Sequence, residues 1–494
     1  MNSLVKSAPL SDSRLTRVQY LCLFAAGVLE FLSLAVAHDI TNVLLQRALL
    51  VLVVLFWAAS AILLHRSHRK LPVILPFVMV LWFLVIQSIP HTDQLHLRHF
   101  GFFFGVYLLA YPYAVVTGDA DRQAGLKTIA KSLSAAALVL VLQTFLLLAD
   151  LVPAFVESEF ELYWQGARVH LMMHPNYSAR VFLIGIAFCL GFFFQASGKL
   201  RKALLLVAVA LQFFALSLTN SRTVIPFACL LIGGAVFFVI FKGTPRQFLL
   251  GFITALAVTA ALLLAYLGLF QWNSDRLAAV QCRSQAAEDV RAGVPSDITD
   301  PVSVPVVTLS AAPVHDSVAT LAAASPAPAV VSVNSLQSEG GQHALSQDMY
   351  TLNGRTTIWR AALQGLKEDP MILIRGADSI DALIWHTGGL HLHNAWLQTL
   401  FQLGLPALII SLIFTVQAIW TGVSLLFHRK ADLWKKIIAM LLLCLLVSAI
   451  SEPSLFCTSG KWHFADFVFF LCLGYAVQWR KQLSGKKCAA SPAP

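Results

Sequence analysis

Apolar runs of about twenty residues recur along almost the whole chain, and nothing else in the sequence constrains its fold so strongly. A run of that length matches the thickness of a bilayer's hydrocarbon core when coiled as a helix. Outer-membrane barrel strands would instead read as ten-residue stretches of alternating polarity. Composition agrees, with 58% hydrophobic and only 12% charged residues, about half the charged share of an ordinary soluble domain. The expected fold class is therefore an all-α integral membrane protein. Twelve transmembrane spans are expected, at about 17–37, 43–64, 72–90, 100–117, 126–150, 177–195, 202–219, 223–241, 247–270, 395–420, 436–455 and 463–479.

Charge then sets the orientation. With the N-terminus inside, 22 of the 35 Lys and Arg fall in short cytoplasmic segments, among them "HRSHRK" (65–70), "SGKLRK" (197–202), "HRKADLWKK" (428–436) and the tail "WRKQLSGKK" (479–487). That distribution obeys the positive-inside rule and places both termini in the cytoplasm. The thirteen remaining cations are nearly all arginine, Lys367 and Lys461 excepted. A guanidinium offers the planar fork that grips phosphate, although an outward excess of arginine also follows from topology and from side chains snorkelling to the interface. The net charge of +10 needs no nucleic-acid partner, because it is mostly the cytoplasmic set facing anionic lipid.

Two outer segments are long. The first is "VPAFVESEFELYWQGARVHLMMHPN" (152–176), and the second runs from about 271 to 394. Within the second, 294–342 has no Lys or Arg and is rich in Ala, Val, Ser and Pro, which reads as a flexible insert without chemistry. By contrast "NGRTTIWRAALQGLKED" (353–369) repeats apolar residues at Ile358, Ala361, Ala362, Leu363 and Leu366 and is stopped by Pro370, as expected of an amphipathic helix. The domain boundaries that follow are spans one to nine over 1–270, the periplasmic loop region 271–394, and spans ten to twelve with the tail over 395–494. Cys22, Cys189, Cys229, Cys444 and Cys472 fall inside spans as packing residues, whereas Cys282 and Cys457 lie outside, where a disulfide could form. No cleavable signal peptide is expected, since the first apolar run has spanning length.

Ionisable groups at a membrane boundary are costly to keep and are default site candidates. Four stand out on the expected outer face: Arg180 one turn into span six, Arg222 in the hairpin "TNSRT", Arg355 in the first turn of the amphipathic helix, and His393 before span ten. Each has a plainer reading. Arg222 would snorkel, Arg180 would bridge to a neighbouring helix or to Glu452, Arg355 would sit on a solvated face, and His393 would be a hydrogen-bonded histidine at a helix start. A metal site from His386, His391, His393, Asp378 and Asp381 lacks a one-face His pair, and the chain has no P-loop, dinucleotide fingerprint or nucleophile elbow. Arginines converging with a neutral imidazole suit a reaction whose leaving group is a phosphate ester. Guanidinium stabilises the charge that develops, and histidine takes the attacking hydroxyl's proton.

"NGRTTIW" (353–359), "HNAWLQTLFQLGLPALI" (393–409), "HPNYSAR" (174–180) and "TNSRT" (219–223) together make the chain similar to the O-antigen ligase and polymerase superfamily of bacterial envelope enzymes. The specific motifs occupy about a tenth of the chain, and they resemble the ligases best. The resemblance implies a GT-C-type glycosyltransferase with a long periplasmic loop carrying amphipathic helices. It implies His393 as catalytic base or acceptor-positioning group, Arg222, Arg355 and Arg180 as binders of the donor pyrophosphate, and His174, Asn394 and Trp359 as supporting residues. It further implies an undecaprenyl-pyrophosphate-linked glycan as donor, a lipid A-core sugar as acceptor, an inverting reaction without metal or other cofactor, and a bacterial inner-membrane location with a periplasmic active site. Polymerase and protein O-glycosyltransferase differ only in acceptor. A glycolipid transporter would use the same arginines for binding alone, but would favour inverted repeats with broken helices at the midplane.

Overall fold

A computed structural model describes residues 119–149, 164–165, 168–169, 175–291, 355–377, 392–450, 455–456 and 464–484, together with Leu21, Ala25, Val51, Leu52, Leu55, Met79 and Trp82. The spans expected at 17–37, 43–64, 72–90 and 100–117 lie largely or wholly outside the described residues, as do the insert at 294–342, His174, Glu452 and Cys457. Each of the other eight expected spans is a helix.

In chain order these are α1 (Asp119–Leu148), α2 (Pro175–Gln195), α3 (Lys199–Leu218), α4 (Val224–Ile240), α5 (Pro245–Arg291), then the outer helices α6 (Arg355–Glu368) and α7 (Ile372–Arg375), and finally α8 (Ala395–Phe427), α9 (Leu433–Ser448) and α10 (Phe464–Leu483). Five of them, α1, α2, α3, α5 and α8, are long and apolar enough to cross a membrane. Between α1 and α2, β1 (Trp164–Gln165) pairs antiparallel with β2 (Arg168–Val169). The chain divides into a unit of residues 1–273 with 354–494 and a second unit of Ser274–Asn353. Helix α5 continues well past the expected end at 270, because "LAAVQCRSQAAEDVR" is built of good helix formers with no glycine or proline to stop it.

The first unit is organised around α2, which packs against α1, α3, α4, α9 and α10. Its apolar side chains are closed off almost completely, with Phe182, Ile184, Ile186 and Phe188 at 0% exposure. Close approach to α9 depends on Gly191, where an added methyl carbon would lie 2.2 Å from the Trp434 ring. That indole stacks on Phe188 at a centroid distance of 6.2 Å and lies tilted against Phe192 at 5.4 Å. The start of α9 thus meets the end of α2, so the two helices are antiparallel. By the same logic Lys436 near the start of α9 lies over Phe238 near the end of α4.

One end of the bundle therefore collects the starts of α2, α4, α8 and α10 and the ends of α3 and α9. The opposite end carries the basic residues Lys199, Arg201, Lys202, Arg429, Lys430, Lys435, Lys436, Arg480 and Lys481.

Helix α8 is broken where the sequence reads Gly-Leu-Pro. Gly404 has φ 76°, which an L side chain adopts only at a cost, and Pro406 cannot donate to the carbonyl of Gln402. The exposed carbonyls find other partners. Trp82 Nε1 donates to Leu403 O at 2.5 Å, and Ala377 N donates to Phe401 O at 2.6 Å. At Gly404 an added methyl carbon would stand 2.4 Å from Ile374 O of α7, and at Gly376 (φ 83°) it would stand 2.5 Å from Gln402 O. The break lets α7 lie against the α8 backbone. A satellite core then forms from Ile358, Ala362, Ile372, Ala377, Leu392, Leu400 and Phe401. Of the apolar residues expected to face inward on α6, Ile358, Ala362 and Leu366 do so, but Leu363 is 47% exposed because it lies one position off the docked stripe.

Candidate active site

His393 sits at the head of α8 with its backbone held in a conformation few residues accept, φ 48°. The neighbours on both sides are tied down. Leu392 N donates to Gln398 Oε1 at 2.9 Å, while Leu392 O accepts from Trp359 Nε1 at 2.6 Å. Asn394 caps the helix, its Oδ1 accepting from Trp396 N and Leu397 N at 3.1 and 3.0 Å, and its Nδ2 donating to Ile450 O at 3.1 Å. Ala395 N donates to Ala449 O at 2.9 Å, which fixes the head of α8 to the tail of α9. Strain of this kind persists only where surrounding contacts over-determine it.

The amphipathic helix α6 brings Arg355 to this imidazole. Trp359 lies one turn along the same face of α6, so the bond from its indole to Leu392 O also sets where Arg355 stands. Trp359, expected as a supporting residue, serves as the clasp between α6 and the head of α8. Burial, and then the charge of Arg355, push the His393 imidazole down from 6.5 to about 4. The ring is consequently neutral at pH 7 and able to accept a proton.

The other two expected arginines have different surroundings. Arg180 is 2% exposed, and its charge acts on Asp466 in the first turn of α10, itself 0% exposed. Asp466 Oδ1 accepts from Leu455 N at 2.8 Å, and the adjacent Phe456 ring lies 6.0 Å from Trp396. The Arg180 charge offsets part of the cost of burying the Asp466 carboxyl, and burial is the larger effect. Arg180 thus acts on Asp466 of a neighbouring helix, and the alternative partner Glu452 lies outside the described residues. Asp466 was missed although the same rule about ionisable groups at span boundaries applied to it.

Arg222 is exposed in the turn between α3 and α4 and forms no ion pair with a described carboxylate. Its turn is well fixed: Asn220 has φ 46° and accepts from Tyr266 OH at 2.6 Å, and Ser221 Oγ donates to Asn176 Oδ1 at 3.2 Å. That last bond joins the "TNSRT" and "HPNYSAR" segments directly. The structure accordingly brings His393, Arg355, Trp359 and Asn394 into one cluster and puts Arg180 and Arg222 at the same end of the bundle on neighbouring elements. Among the described residues no group of three or more His, Cys, Asp or Glu could hold a metal ion. Of the histidine and aspartate set weighed for metal, only His393 is described.

No curated protein and no solved structure matches the chain. A family model described as O-antigen ligase matches residues 207–412, a segment that holds Arg222, Arg355, Trp359, His393 and Asn394 but not Arg180. Residues 207–412 are thus similar to the O-antigen ligase family, which supports the resemblance to the O-antigen ligase and polymerase superfamily.

Proposed function

We propose that the protein is an O-antigen ligase of the GT-C type with twelve spans, set in the bacterial inner membrane with both termini in the cytoplasm. It transfers a glycan from undecaprenyl pyrophosphate to a sugar hydroxyl of lipid A-core on the periplasmic face. The reading rests chiefly on one observation: the bond from Trp359 to the Leu392 carbonyl clasps α6, which carries Arg355, to the head of α8, where His393 sits, within the segment that matches the ligase family. The end of the bundle away from the basic loops supports the periplasmic assignment.

In this reaction the acceptor oxygen attacks the anomeric carbon, and the bond from that carbon to the pyrophosphate oxygen breaks with inversion. His393 takes the hydroxyl proton, and the departing diphosphate keeps the electron pair. Arg355 and Arg222 hold that diphosphate, Arg222 from the exposed turn and Arg355 from α6, while Arg180 adds its positive charge from behind as a helper. A diphosphate lying against Arg355 cancels the positive field that depresses His393, so donor binding raises the basicity of the imidazole when a base is required. Trp359 and Asn394 position the pair, and no metal takes part.

The test is a purified-protein assay with lipid-pyrophosphate glycan and lipid A-core. Release of undecaprenyl pyrophosphate with glycan joined to the core, surviving EDTA and lost in His393→Ala, is the expected result. Transfer only onto a second lipid-linked glycan, or movement of the glycolipid across a vesicle without transfer, overturns the ligase reading.

A further inference from the structure

At the basic end of the bundle, away from His393, helices α1, α2 and α3 enclose an open groove of about 390 Å³. Leu138, Phe192, Leu204 and Leu205 form its walls, and Lys131 and Arg201 stand at one end. The polar groups of its floor are already engaged. Ser134 Oγ donates to Ala130 O at 2.7 Å, and Cys189 Sγ accepts from Gln212 Nε2 at 3.4 Å. The groove therefore offers an arriving molecule hydrocarbon along its length and positive charge at one end. Lys131 and Arg201 are both exposed, and neither forms an ion pair with a described carboxylate. Nearby Lys202 is differently employed, lying over the Phe193 ring at 5.7 Å.

From this division of polarity we infer that the groove binds one anionic phospholipid of the leaflet at the basic end, its phosphate between Lys131 and Arg201 and an acyl chain against the leucines. Basic pockets between membrane helices on the cytoplasmic side take anionic headgroups in this way. The volume lies within the range of about 300–1,000 Å³ usual for small-molecule sites. Because the groove touches α2, an occupant bears on the helix that carries Arg180 at its other end.

Native mass spectrometry of the purified full chain in detergent, titrated with phosphatidylglycerol, phosphatidylcholine or undecaprenyl phosphate, tests the assignment. Phosphatidylglycerol is expected to bind with defined stoichiometry and more tightly than the other two. The Lys131→Gln/Arg201→Gln double variant is expected to weaken that binding about thirty-fold, at roughly a factor of five for each cation near a charged headgroup. Ala135→Trp, which keeps both charges but fills the groove, is expected to lose it as well. Arg429→Gln/Lys430→Gln removes as much charge from the same end outside the groove and is expected to leave binding unchanged. Wild-type affinity in both groove variants overturns the proposal, as does equal weakening by Arg429→Gln/Lys430→Gln, or undecaprenyl phosphate binding as tightly as phosphatidylglycerol. None of these readouts depends on transferase activity.

Discussion

Replacing Arg355 by glutamine isolates the electrostatic link on which the proposed chemistry depends. His393 stands at about 4 against 6.5 for an unperturbed imidazole, with burial the larger cause and Arg355 the smaller. Removing the guanidinium therefore recovers less than half of that gap, leaving His393 no higher than about 5. The measurement is carbethoxylation by diethyl pyrocarbonate, which modifies only the neutral ring, followed peptide by peptide in the mass spectrometer. Wild-type protein should lose reactivity at His393 with a midpoint near pH 4, and Arg355→Gln should shift that midpoint upward. The depressed value also couples folding to pH. The folded state binds fewer protons than the unfolded state between the two values, so stability is full above pH 6.5 and is lost as pH falls toward 4. The wild-type loss is about 3 kcal/mol at most, and Arg355→Gln should lose less, on the order of 2 kcal/mol. A wild-type midpoint near 6.5, or an identical midpoint in Arg355→Gln, would refute the placement of a buried imidazole beside a guanidinium.

Further expectations concern the supports of the site. Trp359→Phe keeps the ring but strips the Leu392 carbonyl of its partner, and should destabilise the α6 attachment by about 1–3 kcal/mol, read as faster amide exchange in 355–368 together with reduced transfer. Asn394→Ala loses the cap of α8 and the bond to Ile450, costing about 1–2 kcal/mol in thermal unfolding, whereas Asn394→Asp should retain the cap. Gly404→Ala places a methyl against Ile374 O at a positive φ, and should reduce folded yield in the membrane fraction far more than Ala407→Gly in the same helix. Arg355→Lys and Arg222→Lys should each cost about 2–4 kcal/mol of transition-state stabilisation, measured as kcat/KM, because a point charge does not reproduce the fork; near-normal turnover in both would remove them from the reaction.

Hydropathy and charge made the described spans legible because each acts along the chain, segment by segment. A twenty-residue apolar run must cross, successive crossings must alternate, and so the boundary residues Arg180, Arg222 and His393 were bound to share an end. The motif "NGRTTIW" likewise announced α6, since capping and helical spacing are local properties. Helix α5 runs on beyond its expected span because hydropathy marks where a helix leaves lipid but not where it ends.

What the sequence by itself determined is the succession of membrane helices, the polarity of the bundle, and the short set of ionisable residues kept at its boundary. Only the tertiary structure decided which of them meet. It brought Arg355 within electrostatic reach of His393 across 38 positions of chain and Arg180 within reach of Asp466 across 286, bent the backbone at His393 to φ 48°, and broke α8 at Gly404 so that α7 could dock. The physical reason is that spanning and sidedness respond to the average properties of a segment. A side chain's neighbour depends on helix packing and on single hydrogen bonds such as that from Trp359 to Leu392, made between residues whose order along the chain says nothing of their distance.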